Sequence, residues 1–470
     1  MTQRLVSRRR FVPRALAIAL VAALGFAGAA TVHAEDLMGA YRQALQSDPV
    51  LKQAEAQSRI GEAGADISRS ALLPQLNGQV SFNDSHGISS GTQVFYDQNG
   101  NPTLEDTTVH TGGRSRTESV GLNQVLFDLG QFSTWRASKA SARAAEAQYT
   151  SAQQDLILRV AQAYFTVLSD EEQLKYAEAN EKALQKQLDQ AQAKYDVGFA
   201  AITDVVDAKA QHDTAVANVI NVKNQVFNDR QSLAQITGQA PGTLETLTDN
   251  LPLAPPQPHD MQTWVNTALA SNPSLQAQRE QREAAQHDVT AAYAGHLPTL
   301  DASVSYSHNP SWGGVGFTTS GAPRGDSRSS GTTVGLVLTV PLFAGGGIHA
   351  RVKQAIAQRD QAGDVLEQDR RTVVSNTRSA YNAIEAGISS VEAQKAAVES
   401  AKTALDASEA GYQIGTRTIV DLLLAQQTYF QAQSAYSQAR HALVVNRLNL
   451  DFAAGTLSVD DLEAVNRLLQ

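Results

Sequence analysis

The sequence predicts a mixed α+β membrane protein: a tandem-repeat protomer whose strands join those of other copies in a transmembrane β-barrel, continuous with a long α-helical tunnel. Three observations carry this expectation. The two halves of the 470-residue chain repeat one another in order. Each half holds two short runs in which apolar side chains alternate with small polar ones. Each half also holds long Ala/Gln-rich helical segments joined by a tight reversal.

The repeat is the firmest of the three. Ala44-Leu45-Gln46-Ser47-Asp48-Pro49-Val50-Leu51 returns as Ala268-Leu269-Ala270-Ser271-Asn272-Pro273-Ser274-Leu275, at an offset of 224. Leu73-Pro74-Gln75-Leu76 returns as Leu297-Pro298-Thr299-Leu300 at the same offset. After the following loop the offset falls to 217 and holds for Ala163-Tyr164 against Ala380-Tyr381 and for Gly238 against Gly455. An offset that changes only in one loop marks structural repeats. The first repeat is placed at 35–250 and the second at 260–470, with a Pro-rich linker at 251–259 that cannot continue a helix.

The N-terminal segment, 1–34, reads as a signal peptide. Arg8 to Arg10 form its charged region, Ala15 to Ala30 its apolar run, and Val32-His33-Ala34 its cleavage site. Ser7-Arg8-Arg9-Arg10-Phe11 also resembles a twin-arginine signal, and an uncleaved anchor helix is the remaining alternative. No other window has the 18 or so apolar residues of a spanning helix. A membrane-embedded mature chain therefore crosses as strands.

Composition narrows the function classes. Removing the five leader arginines from the formal net charge of −9 leaves about −14. No basic face is interleaved with aromatics, so a nucleic-acid partner is not expected. With 0 Cys there is no disulfide and no thiolate metal site. No His-Glu-x-x-His, Gly-x-Ser-x-Gly or phosphate loop is present, so neither an enzyme nor a cofactor is expected. Ala344-Gly345-Gly346-Gly347 lacks the Lys-Ser/Thr of a phosphate loop and reads as a strand-to-helix break.

In chain order, Asp36 to Gln46 and residues 50–72 are expected as helices, each stopped by a following proline. Strands are expected at 75–84 and 118–127, and again at 299–308 and 332–343. In the third, Leu300, Ala302, Val304 and Tyr306 alternate with Asp301, Ser303, Ser305 and Ser307. One apolar and one small polar face over about 9–11 residues fits a barrel strand between lipid and water. A soluble hairpin packed on a core is the alternative. The loops at 85–114 and 308–331, rich in Gly, Ser and Asn, are expected to be mobile tips. Helical hairpins are expected at 131–237 and 348–454. The helix from Gln131 to Asp196 would run roughly 100 Å at 1.5 Å per residue. Two shorter helices stacked end to end would nearly match it.

The reversals are the most informative stretches. Gly198 stands three after Tyr195, and Gly415 three after Tyr412. Glycine readily takes the left-handed conformation that ends a helix. Asp204 and Asp421 follow in the first turn of the next helix, where a negative charge meets the positive end of the helix dipole. Two hairpins give only four strands per chain, too few to close a barrel, so the barrel must be shared between chains. Composition does not choose between dimer and trimer.

Lys194-Tyr-Asp-Val-Gly-Phe-Ala-Ala-Ile-Thr-Asp-Val205 and Ala410-Gly-Tyr-Gln-Ile-Gly-Thr-Arg-Thr-Ile-Val-Asp-Leu422 resemble the two helical tips of the TolC-like outer-membrane efflux proteins, the outer membrane factor family. Val120-Gly-Leu-Asn-Gln-Val-Leu-Phe-Asp128, Asn446-Arg-Leu-Asn-Leu450 and Ala454-Gly-Thr-Leu457 add to the resemblance, which covers essentially the whole mature chain. It implies a trimer with a twelve-stranded barrel in the Gram-negative outer membrane and its helical part in the periplasm. The implied function is an exit duct of a tripartite efflux or type I secretion system, passing drugs, toxins or proteins, with an iris-like opening of the helix tips. The implied partners are a periplasmic adaptor (membrane fusion) protein and an inner-membrane transporter. The absence of Cys favours the unlipidated branch of the family. A general diffusion porin or a soluble coiled-coil scaffold are the competing classes.

By resemblance, Arg417, Tyr412, Thr203 and Asp204 match positions whose polar links hold the tips closed, and Asp421 matches an acidic, cation-blocking ring at the constriction. Helix capping is the second reading of Asp421, since Thr418-Ile-Val-Asp421 fits a capping box. The family pattern places a second acid where this chain has Leu424; the aligned residue of the first copy is Asp207. The tip residues Val197, Gly198, Phe199 and Ala200, with Ile414, Gly415 and Thr416, are expected to dock the adaptor.

Overall fold

The computed structural model describes residues 34–248, 250–315 and 325–470. The expected signal peptide, apart from its last residue, and part of the second loop lie outside the described residues.

Each repeat opens with two helices separated by a capping residue and a proline. In the first, α1 (Leu37–Ser47) and α2 (Pro49–Ser70) meet at Asp48, whose side chain accepts from Leu51 N–H. In the second, α5 (Met261–Ser271) and α6 (Pro273–Ala294) meet at Asn272, which accepts from Leu275 N–H. Proline suits the first helical position because its missing N–H has no partner there anyway.

The strands are β1 (Gln75–Tyr96), β2 (Pro102–Phe127), β3 (Thr299–Val315) and β4 (Ser327–Thr339). They form one antiparallel sheet in the order β1-β2-β3-β4, so β1 and β4 are its free edges. Leu76 pairs with Leu122, Leu122 with Val304, and Val304 with Val334, an apolar row across all four strands. The neighbouring row, Asn77, Gly121, Ser305 and Thr333, is small and polar. A register shift between Val125 and Phe127 brings Phe127 opposite Leu300 and keeps an aromatic on the apolar face. Leu76, Phe82, Val334 and Leu336 are each about 70 % exposed in the single chain, so this face packs on nothing in its own protomer.

Three expected strands prove longer, and the fourth is shifted, beginning and ending earlier than expected. The first loop is not a mobile tip: β1 and β2 pair without interruption from Gln75↔Asn123 to Tyr96↔Pro102, leaving a turn at 97–101. Asp97 fixes that turn by accepting from the backbone of Asn99 and Asn101. Within the second expected loop, 308–331, β3 continues to Val315 and β4 begins at Ser327. The reason is that these outer extensions carry no sustained apolar alternation, the signal on which the expected bounds rested. Polar rungs such as Thr92 Oγ1 donating to Asp106 replace it. β4 ends at Thr339 rather than 343, because β3 begins at its partner Thr299 and Pro341 has no N–H to give.

The long helices are α3 (Leu129–Asp196) and α7 (Gly347–Gln413); the shorter returns are α4 (Ile202–Thr237) and α8 (Ile419–Ala454). Gly346, with φ 81°, opens α7 and marks the expected strand-to-helix break. α2 and α4 both pack along α3, while α6 packs between α3 and α7. Gly238 and Gly455 end the returning helices in left-handed conformation, φ 78° and 74°. Gly455 also abuts Asn272 so closely that a Cβ there would stand 2.4 Å from the Asn272 Cα.

The main core lies midway along α3. Leu156, Val160, Tyr164, Phe165 and Leu168 are buried there against α1, the end of α8 and the short helix α9 (Val459–Asn466). Tyr164 donates its hydroxyl to the carbonyls of Glu35 and Glu245, which ties this collar to the long helix. No helix among the described residues is long and apolar enough to cross a membrane.

Candidate functional site

The candidate site is the pair of helix reversals at the end of the chain's long axis opposite the sheet. Both use one backbone device. Gly198 has φ 81° and its N–H donates to Tyr195 O (2.9 Å), while Phe199 N–H donates to Lys194 O (2.8 Å). Gly415 has φ 78°, its N–H donates to Tyr412 O (3.2 Å), and Thr416 N–H donates to Gly411 O (2.9 Å). These paired bonds satisfy the last carbonyls of α3 and α7.

Beyond the glycines the tips differ. α4 starts at Ala201, which has no side chain to cap it, with Asp204 in its first turn. α8 starts with a complete capping box. Asp421 N–H donates to Thr418 Oγ1 (3.2 Å), and Asp421 Oδ2 accepts from Thr418 N–H (3.0 Å) and Oγ1 (2.8 Å). These bonds from Thr418, backbone first, hold the Asp421 carboxyl below the usual carboxylate range, and the Arg417 charge adds to them. The capping reading of Asp421 is therefore seen directly in the single chain.

A small apolar cluster holds the two hairpins side by side. Leu184 and Ala191 of α3, Val205 and Ala208 of α4, and Ile419 and Leu423 of α8 are buried together, with Tyr412 packed on them. Tyr412 also carries a cation: Lys194 Nζ lies 4.2 Å from its ring centroid. Arg417 folds its stem back over Gly411, where an added Cβ would stand 2.6 Å from Arg417 Cγ.

The structure thus brings Tyr412 beside Lys194, and Arg417 beside Gly411 and Asp421. No hydrogen bond or ion pair described within the chain joins Arg417 or Tyr412 to Thr203 or Asp204. Of the expected docking residues, Phe199 (86 % exposed), Ile414 (76 %) and Val197 (65 %) present bare apolar surface at the extreme tips. Leu424 is 62 % exposed on α8 one turn beyond Asp421. Lys194 and Gly411 make contacts at the tips that the sequence expectations did not include. A comparison of the copies at the 217-residue offset would have exposed them, because it aligns Lys194 with Gly411 and Ala200 with Arg417. No group of three or more His, Cys, Asp or Glu side chains that could hold a metal converges among the described residues.

The family model described as Outer membrane efflux protein matches residues 40–239 and 264–456, one match in each repeat. The chain is 36 % identical to Outer membrane protein TolC of Escherichia coli (strain K12) over 442 residues, covering 93 % of this chain and 85 % of that protein. It is 28 % identical to the alkaline protease secretion protein AprF of Pseudomonas aeruginosa, covering 91 % of this chain and 86 % of that protein. Its fold superposes on the crystal structure of the Campylobacter jejuni CmeC outer membrane channel with a TM-score of 0.73 at 19 % identity, covering 93 % of this chain and 90 % of that one.

Proposed function

The chain belongs to the outer membrane efflux protein family and is an outer-membrane channel for efflux and type I secretion; on that premise we propose that it works as a homotrimer, a continuous duct gated at its helix tips. The observation that carries a barrel shared between copies is the four-stranded sheet with free edges at β1 and β4 and a bare apolar face; the number three is what the family resemblance implies. Lipid offers no hydrogen bonds to such edges, so they must pair with other copies. Three copies make twelve strands, enough to close a barrel around water. Helices of 68 and 67 residues then continue that bore for roughly 100 Å below the membrane.

Three-fold symmetry would place each tip residue in a ring. Arg417, Tyr412, Thr203 and Asp204 would hold the closed tips through contacts within and between copies, and Asp421 would sit at the constriction. Exposed links of this kind are individually weak, so a partner can release them. The partner is a periplasmic adaptor that docks on Val197 to Ala200 and on Ile414 to Thr416 and couples the duct to an inner-membrane transporter. Opening follows as an iris-like parting of the helix tips. Chemical cross-linking in intact outer membranes tests the stoichiometry. The expected ladder ends at three chains; a ladder ending at two, or one that continues past three, would overturn the trimer.

A further inference from the structure

We propose that Lys194 is a positioning residue of the tips: from the α3 end of one hairpin it holds the α7/α8 hairpin in its packed position by resting its ammonium on the face of Tyr412. The proposal deepens the gated-duct reading and rests on it. The contact joins two elements that are distant in sequence and belong to different repeats, and it lies at the edge of the cluster that packs the hairpins together. Lys194 and Tyr412 are both half-buried, which strengthens attraction between a cation and a ring face relative to full exposure.

The two copies show that this contact runs in one direction only. At the offset of 217, Lys194 corresponds to Gly411, and Tyr195 to Tyr412. The reciprocal contact would need a cation at 411 over Tyr195. Glycine stands there instead, and its open space is filled by the Arg417 stem. Tyr195 is accordingly more open, 41 % exposed. So the first hairpin carries the catch and the second carries the tyrosine it catches. Any parting of the α7 end from the α3 end must break this contact inside each protomer, before or together with any link between protomers.

The chemistry separates this contact from a hydroxyl link. A cation on a ring face needs a positive charge and an aromatic ring, not the tyrosine hydroxyl. The test is single-channel conductance of the full-length oligomer in planar bilayers, with outer-membrane assembly checked for every variant. Lys194→Met and Tyr412→Leu are expected to raise conductance several-fold and to about the same level, and the double variant to add nothing further. Lys194→Arg is expected to stay at the closed level, and Tyr412→Phe to open clearly less than Tyr412→Leu, because the ring it keeps still holds the ammonium. The proposal is overturned if Lys194→Met stays closed while Arg417→Ala opens, an outcome that leaves the gate itself standing. It is equally overturned if Tyr412→Phe opens as far as Tyr412→Leu, since the hydroxyl would then be the link. If Lys194→Met, Tyr412→Leu and Arg417→Ala all leave conductance unchanged, the tip gate fails and the catch with it. Lys194 lies outside the buried cluster, so its variants test the contact without disturbing the core.

Discussion

Gly411 and Arg417 fit against each other with no room for a side chain between them: a Cβ on Gly411 would stand 2.6 Å from Arg417 Cγ and 3.3 Å from its Cβ. The Gly411 carbonyl also accepts from Thr416 N–H, Thr416 Oγ1 and Arg417 N–H, so the loop is wound tightly over this residue. The glycine that ends α7, Gly415, serves the backbone turn. Gly411, two residues inside the helix end, serves the arginine.

Gly411→Ala is therefore expected to displace Arg417 while leaving the helix intact. Inside a helix, alanine is ordinarily favoured over glycine by about 1 kcal/mol, so loss of α7 is not the expected outcome. Conductance should rise toward that of Arg417→Ala with assembly unchanged. A variant that assembles and conducts as the parent does would show that Arg417 keeps its hold from a shifted position.

At the proposed constriction each α8 offers Asp421 followed by Leu424, one acidic position where the family pattern has two. The Asp421 carboxylate is already engaged by Thr418. Block by divalent or trivalent cations is expected to be weak, and Leu424→Asp to strengthen it about tenfold, the change that ~1.4 kcal/mol of added attraction brings. Block titrations in planar bilayers measure this. Strong block in the parent protein, abolished by Asp421→Ala, would refute it.

Asp170 of α3 faces Asp229 of α4, and Gln225 donates to Asp229 (2.7 Å). Burial, then the hydrogen bond to and charge of Asp229, push the Asp170 carboxyl from 3.8 to about 7. The folded state thus holds a proton that the unfolded chain gives up near pH 4. Stability falls as pH rises from about 4 to about 7 and levels off above that. Asp170→Asn should raise the melting temperature at pH 8 by a few degrees and change it little at pH 4, read by far-UV circular dichroism in detergent. Equal effects at both pH values would remove the shared proton from the account.

Much of the fold was legible because its signals are local or periodic. The helices α1 to α4, and the hairpin of α7 and α8, lie within a few residues of their expected bounds, since proline, glycine and capping side chains act on their immediate neighbours. The alternation of Val304 with Ser303 and Ser305 fixed which strand face is apolar. It gave no sign of the outer half of β1 and β2, where no such alternation runs. At the site, the left-handed Gly198 and Gly415 and the Thr418–Asp421 box were readable for the same reason: each bond spans three to five residues.

By itself, then, the sequence determined the duplication, the long helices, the strand faces and the backbone of both reversals, because each depends on residues a turn or a repeat apart. Only the tertiary structure decided which side chains from different hairpins meet. Lys194 reaches Tyr412 across 218 positions because the packing of α3, α4 and α8 sets the hairpins in one particular register. Asp170 meets Asp229 because α4 folds back along α3. Such contacts follow from the relative height of packed helices, a quantity fixed by the whole apolar seam and not by any short stretch of it.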